Sequence, residues 1–369
     1  MSFQRILQHP KLQQLLQFLP NLQSGPLIGL DIGSSNVKLV HLAEKDGEFT
    51  LEHYALAELD PDAIVDGAVM DASQVADTIR SLFTETKVPT KKVAISVAGN
   101  SVIVKKINLP IMDEDELGAA IAVEAEQYIP FEISDVHLDF HIMDNDSRPA
   151  PEGQMPVLLV AAKKDRVSEM IAMVEEAGAS VVVVDVDAFG LENIFCANYG
   201  AGDPIVGLVN IGATVININV LVDGVSAFTR DISMGGSRYT EEIQKSLNIS
   251  FMEAERAKCG EAIEGIDEDR VLAIVQDTNG EVAAEIGRTF DYFRSTVQSQ
   301  QVSRVYLSGG GAKASGLVEQ VADRLGIPVE LFNPFANLHI AKGIDPEVLK
   351  QDAPFLGVAA GLATRRLAD

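Results

Sequence analysis

Positive charge is scarce in this chain. Its 369 residues hold 29 lysines and arginines against 54 aspartates and glutamates, a formal net charge of −25. Contacts to nucleic-acid phosphates need basic stripes, so this balance argues against a nucleic-acid partner. It also argues against direct attraction to an anionic leaflet, leaving a partner or an apolar helix as the route to any membrane. Cysteine is nearly absent too. Cys196 and Cys259 lie far apart with no C-x-x-C, so neither a disulfide framework nor a zinc site is suggested, and each reads as a small buried hydrophobe. His137 and His141 are the only closely spaced histidines, and period two in "VHLDFHI" puts them on one strand face with Asp139, read as solvated. No secretory signal is evident and no apolar run reaches roughly 18 residues, so a cytosolic protein is expected. What is present is 47% apolar and 22% charged residues, the balance of a globular protein. The length predicts at least two lobes, each with its own core.

The first 25 residues differ from the rest. Leu12, Leu15, Leu16 and Leu19 fall at helical spacing between Pro10 and Pro20, opposite a glutamine-rich face, which predicts an appended amphipathic segment. From Leu27 onward, short strands alternate with helices. Strands are predicted at 27–43, 48–57, 92–99, 135–143 and 156–163, with helices at 72–86 and 164–177. "DEDELGAAIAVEAEQYIPF" carries acids in its first turn, favourable to a helix dipole. With the strands on either side it reads as a small unit inserted into the main lobe, closed by the loop Asp144–Gln154. Further on, helices are predicted at 237–247, 250–258, 268–300 and 313–325.

The stretch "LIGLDIGSSNVKLVHL" interrupts two buried strands with an acid, a glycine and two serines. Taken alone it is either a plain hairpin, with glycine supplying positive φ, or a phosphate cradle in which Lys38 and backbone N–H groups meet the anion. Its pattern recurs in "LVNIGATVININV": Gly33 aligns with Gly212 at an offset of 179 residues, about half the chain, so the chain reads as duplicated. A third glycine turn, "LSGGGAKASGL", matches neither a P-loop nor a dinucleotide fingerprint. Two hairpins facing across a cleft can hold a polyphosphate, and a glycine turn admits a base and ribose to its backbone. A nucleoside triphosphate explains all three.

The ordered set "LDIGSSNVK", "VDVDAFGL", "VNIGATVI", "LSGGGAKASGL" and "FLGVAAGLA" resembles the phosphate-1, connect-1, phosphate-2, adenosine and connect-2 elements of the actin-like ATPase superfamily. "EAEQYIPFEISDVHLDFHIM" and "RDISMGGSRYTEEIQKSLNISFMEAERAK" narrow the resemblance to the PilM family of type IV pilus assembly proteins, kin of the divisome protein FtsA. The resemblance implies an α/β fold of two duplicated lobes around a nucleotide cleft, with an FtsA-type inserted subdomain. The implied division is an extension (1–26), a first lobe (27–99 and 156–205) and a partner-binding insertion (100–155). A second lobe (206–236 and 304–350) would carry a helical subdomain (237–303), and a closing helix (351–369) would return to the first lobe.

Matched residue by residue, the resemblance assigns Gly33, Ser34, Ser35 and Lys38 to the first phosphate loop. Gly212, Ala213 and Thr214 fall in the second, and Gly309, Gly310, Gly311 and Lys313 in the adenosine turn. Glu255 and Lys258 would contact ribose and base, Asn333 would edge the adenine pocket, and Asp31 and Asp187 would attend Mg²⁺, with Asp31 also near the attacking water. Hydrolysing members usually carry an aspartate where this chain has Asn210. An amide is a poor proton acceptor and brings no charge to the metal shell, so ATP is expected to be held tightly and cleaved slowly. The implied partner is the cytoplasmic N-terminal tail of the inner-membrane protein PilN, with "LGAAIAVEAEQYI" and "VIVKKINLP" as candidate groove walls. Pilus assembly ATPases and the platform protein would be reached through that complex, which would hold the chain at the inner membrane. The other readings are an FtsA-like filament-forming ATPase and a small-molecule kinase of the same fold.

Overall fold

A computed structural model describes residues 26–65, 67–143, 151–200, 203–296 and 301–366. The expected amphipathic segment and residues 144–150 of the expected loop lie outside them.

Two antiparallel meanders organise the molecule. In the first, β1 (Ile28–Ile32), β2 (Asn36–Lys45) and β3 (Glu48–Glu58) run antiparallel. A small ribbon, β4 (Ile64–Val65) and β5 (Ala68–Val69), leads to α1 (Ala72–Thr86) and β6 (Lys92–Val97), which joins β1 in parallel. After an insertion come α3 (Lys164–Glu176), β10 (Ser180–Val186), parallel to β6, and α4 (Asp187–Tyr199). The second lobe repeats this with β11 (Ile205–Ile211), β12 (Ile216–Val222) and β13 (Val225–Ile232), followed by β14 (Arg304–Ser308) and β15 (Val329–Leu331). The strand orders, β10-β6-β1-β2-β3 and β15-β14-β11-β12-β13, match position for position, and β16 (His339–Ile340) is added at the edge of the first sheet. The duplication visible in the residues is therefore a duplication of topology.

Among the described residues three helices stand between β13 and β14: α5 (Ser237–Leu247), α6 (Phe251–Lys258) and α7 (Glu268–Thr296). The helix expected from residue 313 starts later. Gly316 sits at φ +81°, outside the helical region, so residues 310–313 form one 3-10 turn and α8 spans Leu317–Leu325. The chain then returns through α9 (Pro346–Asp352) and α10 (Gly357–Ala363) to the first lobe.

α4 and α10 cross between the two sheets with their backbones in contact. A Cβ on Gly361 would lie 1.6 Å from the Gly190 carbonyl oxygen, and one on Gly29 would lie 1.9 Å from that of Ala359. Only glycine permits either approach, so the run of small residues at 357–363 sets the spacing of the lobes. Beneath the crossing, Asp185 and Arg365 form an ion pair in which the carboxylate is fully buried.

The inserted unit holds β7 (Val102–Pro110), α2 (Glu114–Ala125), β8 (Val136–Ile142) and β9 (Gln154–Lys163), with strands in the order β7-β9-β8. The boundary expected at residue 155 is corrected here. It falls inside β9, which pairs along its length with β7 and β8, so the unit runs to residue 163. Period two along β9 serves two cores. Leu158, Val160 and Ala162 pack with the first lobe, while Val157, Leu159 and Ala161 pack under α2. The apolar face of α2, Leu117, Ile121 and Ala125, is likewise interior, so it is no groove wall; Val123 on its outer side is exposed. Among the described residues no helix is long and apolar enough to cross a membrane.

Candidate functional site

The first hairpin is held closed by its own backbone: the Gly33 N–H donates to the Asn36 carbonyl at 3.0 Å. Antiparallel register sets Asp31 opposite Lys38, and their side chains meet at 3.1 Å, both mostly buried. The second hairpin closes in the same way, Gly212 N–H to the Val215 carbonyl at 2.9 Å. The tips meet across the lobes, with the Ser34 and Thr214 hydroxyls 3.2 Å apart. Two loops 180 residues apart in the chain thus share one small volume of space.

Behind the tips lies an acidic wall. Asp187 begins α4, and burial, with the neighbouring carboxylates of Asp31 and Asp231, pushes its carboxyl up to about 7 against the opposing influence of the Ser96 hydroxyl and Lys38. Burial also raises the Asp231 carboxyl, although it accepts hydrogen bonds from Asn217 Nδ2 at 2.9 Å and from the Gly99 N–H at 2.8 Å. Among the described residues no three acidic, histidine or cysteine side chains converge closely enough to hold a metal ion alone. His137, Asp139 and His141 make no such site either, and Asp139 is buried rather than solvated.

Asn210 is the penultimate residue of β11, beside the second tip, and its Nδ2 donates to Asn217 Oδ1 at 3.2 Å. The glycine turn at 309–311 packs against the same loop. Gly309, at φ +88°, leaves no room for a side chain: a Cβ there would stand 2.3 Å from the Ile211 carbonyl oxygen. Gly310 and Gly311 continue this turn, with Gly310 against the Phe355 ring. Lys313 turns toward the closing segment, donating to the Gln351 carbonyl at 3.1 Å and lying over the Phe355 ring. Glu255 and Lys258 pair at 2.5 Å on α6, and both hydrogen-bond the buried Thr240 hydroxyl of α5. The N-terminal end of α5 supports Gly212 and Ala213 through the Gly236 and Ser237 N–H groups, each at 2.8 Å. The neighbouring Cys259, expected to be a small buried hydrophobe, is exposed at the end of α6, and Cys196 on α4 is only half-buried.

Asn333 is not brought to the cleft. Its carbonyl accepts from Asn198 Nδ2 and the Tyr199 hydroxyl at the far end of α4. α4 crosses the second sheet from Asn219 of β12, beside Ala188 and Glu192, to Tyr306 of β14. The 13 residues of α4 separate Tyr199, which Asn333 meets, from Asp187 by roughly 18 Å along the helix. Sequence reasoning missed Ser96, Asn217, Asp231, Gly235, Gly236 and Thr240. Of these only the Gly235–Gly236 pair carried a local signal: a Cβ on Gly235 would strike the Gly212 and Ala213 carbonyls at 2.4 and 2.5 Å.

Two lobes of one strand order, packed on crossed helices and meeting at paired glycine hairpins, form an actin-like fold. The ethanolamine utilization protein EutJ from Carboxydothermus hydrogenoformans shares it at a TM-score of 0.56 and 16% identity, over 93% of this chain and 90% of that one. The model of the type IV pilus assembly protein PilM family matches residues 29–367, and the chain belongs to that family. A solved PilM-PilN type IV pilus biogenesis complex contains a chain similar to it at TM-score 0.83 and 28% identity, over 94% of this chain and 99% of that one. The cell division protein FtsA of Bacillus subtilis is 23% identical over 355 residues, 83% of this chain and 78% of FtsA.

Proposed function

We propose that this protein is an ATP-binding scaffold of the type IV pilus assembly machinery, working at the cytoplasmic face of the inner membrane. The observation that carries the nucleotide reading is the Ser34–Thr214 contact, which brings two glycine hairpins from different lobes to one point. Hydroxyls and backbone N–H groups approaching from both sides suit a polyphosphate, and Lys38 supplies the cation. Asp31 and Asp187 would hold the water shell of Mg²⁺, whose charge would offset that of the phosphates when bound. The base and ribose would lie between the turn at 309–311 and the Glu255–Lys258 pair.

The same residues favour holding ATP over cleaving it. Asn210 cannot accept the proton of an attacking water as a carboxylate can. Asp231, the carboxylate behind it, already accepts hydrogen bonds on both oxygens. The partner reading rests on family membership and on the solved complex similar to this chain, whose partner is PilN. An extended peptide tail would lie beside the inserted unit, along β7, where Lys105 covers the Tyr128 ring. Through it the chain would meet the pilus ATPases and platform protein.

Mixing purified protein with a stoichiometric amount of labelled ATP and Mg²⁺, and following bound nucleotide and free phosphate together, tests the reading. Tight retention with little phosphate released is the expected result. Steady release makes the protein an enzyme first, and failure to retain ATP removes the nucleotide from its function.

A further inference from the structure

The inserted unit leaves the first lobe at Gly99, where the chain turns at φ +70° through a single 3-10 turn into β7. This root is bonded to the opposite lobe. Gly99 donates its N–H to Asp231 Oδ2 at 2.8 Å; Asp231 Oδ1 accepts from Asn217 Nδ2 at 2.9 Å; Asn217 Oδ1 accepts from Asn210 Nδ2 at 3.2 Å. Asn210 is the penultimate residue of β11, with only Ile211 between it and the Gly212 turn. A continuous chain of hydrogen bonds therefore runs from that loop to the base of the unit on which a partner would dock.

The chain has a direction. A carboxylate only accepts, so Asp231 fixes which end of the Asn217 amide faces it, and Asn217 in turn fixes Asn210. The Asn210 carbonyl oxygen is left pointing toward the adenosine turn, 2.8 Å from the place a Cβ would take on Gly309. Asn217 and Asn219 are both largely buried on β12, where an amide out of register costs an unsatisfied polar group. Any shift of the second phosphate loop then moves Asn217 and Asp231 as well, or breaks a buried bond.

We propose that Asn217 and Asp231 are positioning residues that couple the nucleotide state of the cleft to the seating of the inserted unit at Gly99. The proposal rests on the ATP reading above and adds the route by which the cleft would reach the partner surface. Thr229 is the internal control: its hydroxyl meets the Val104 carbonyl of β7 at 3.5 Å, so it also joins β13 to the inserted unit, but it stands outside the Asn210–Asn217–Asp231 chain.

Hydrogen exchange read by mass spectrometry, with and without ATP and Mg²⁺, tests this on the full chain. In the parent, nucleotide should slow exchange over residues 99–104 by about fivefold or more, the scale of an ordinary coupling free energy. Asn217→Leu and Asp231→Ala cut the chain at different links, so a variant that fails to fold leaves the other to decide. Read at ATP concentrations that saturate each variant, both should lose the slowing at 99–104, while Thr229→Val keeps it. Variants that bind ATP and still show the slowing overturn the proposal. So does a parent that binds ATP with no change at 99–104, an outcome that leaves the ATP reading standing. No ATP binding at all removes both.

Discussion

The two hairpins occupy the same place in the two lobes but carry different chemistry. In the first, the residues flanking the loop are Asp31 and Lys38, paired across the strands as an ion pair at 3.1 Å. In the second, the equivalent register positions are Asn210 and Asn217, paired as two amides at 3.2 Å. Duplication preserved the geometry and neutralised one copy. A charged pair can meet phosphate and metal directly, whereas an amide pair both donates and accepts and can pass orientation along. On the readings proposed above, the first lobe would carry the charge that binds, and the second the polarity that reports.

Breaking the charged copy should have the largest effect. Lys38→Met keeps the length of the side chain but leaves Asp31 facing the phosphates alone, and ATP affinity measured by calorimetry should fall on the order of a hundredfold. Making the copies alike is the next test. Asn210→Asp by itself sets a carboxylate against the Asn217 carbonyl oxygen; if Asn217 turns over, its oxygen meets Asp231 instead. Adding Asp231→Asn lets the whole chain reverse polarity, with position 231 still accepting from Gly99. The double variant should release phosphate about tenfold or more faster than the parent, the single variant less, and its lowered melting temperature should be restored in the double. Equal rates in parent and double variant would show that Asn210 does not limit hydrolysis.

Both hairpins were legible in the sequence because each is local: a glycine between two short apolar runs, repeated at a fixed offset. The glycine turn at 309–311 was legible for the same reason. Asn217 and Asp231 were not, since each sits in an apolar-rich strand and gains its meaning from cross-strand register and a contact to Gly99, 132 residues away from Asp231. Asn333 was misplaced because nearness to the end of a strand says nothing about which sheet edge that strand occupies. β15 is the edge strand farthest from β13, so its end meets the far end of α4 and not Asp187. The boundary at 155 failed because β9 is apolar on both faces, which period two alone cannot assign to one core or the other.

Asp187 sharpens the comparison through pH. Its carboxyl is raised from 3.8 to about 7, so the folded state holds its proton more strongly than the unfolded chain does. The stability tied to that proton is fully present below about pH 4 and is lost as pH climbs through about 7. Asp187→Asn should remove this slope: without nucleotide, its melting temperature should exceed the parent's by a few degrees at pH 8 and match it near pH 4. A parental slope retained in the variant would assign the titration to another group.

The smallest effect belongs to the point where the copies touch. Thr214→Val keeps the shape of the second tip and removes the hydroxyl that meets Ser34 at 3.2 Å. A single neutral hydrogen bond contributes about 0.5–1.5 kcal/mol, so ATP affinity should weaken by roughly two- to tenfold, with no change at Gly99 because Asn210 and Asn217 are untouched. If Thr214→Val instead weakened binding as much as Lys38→Met, the hydroxyls of the neutral hairpin, and not the cation of the charged one, would be what grips the phosphates.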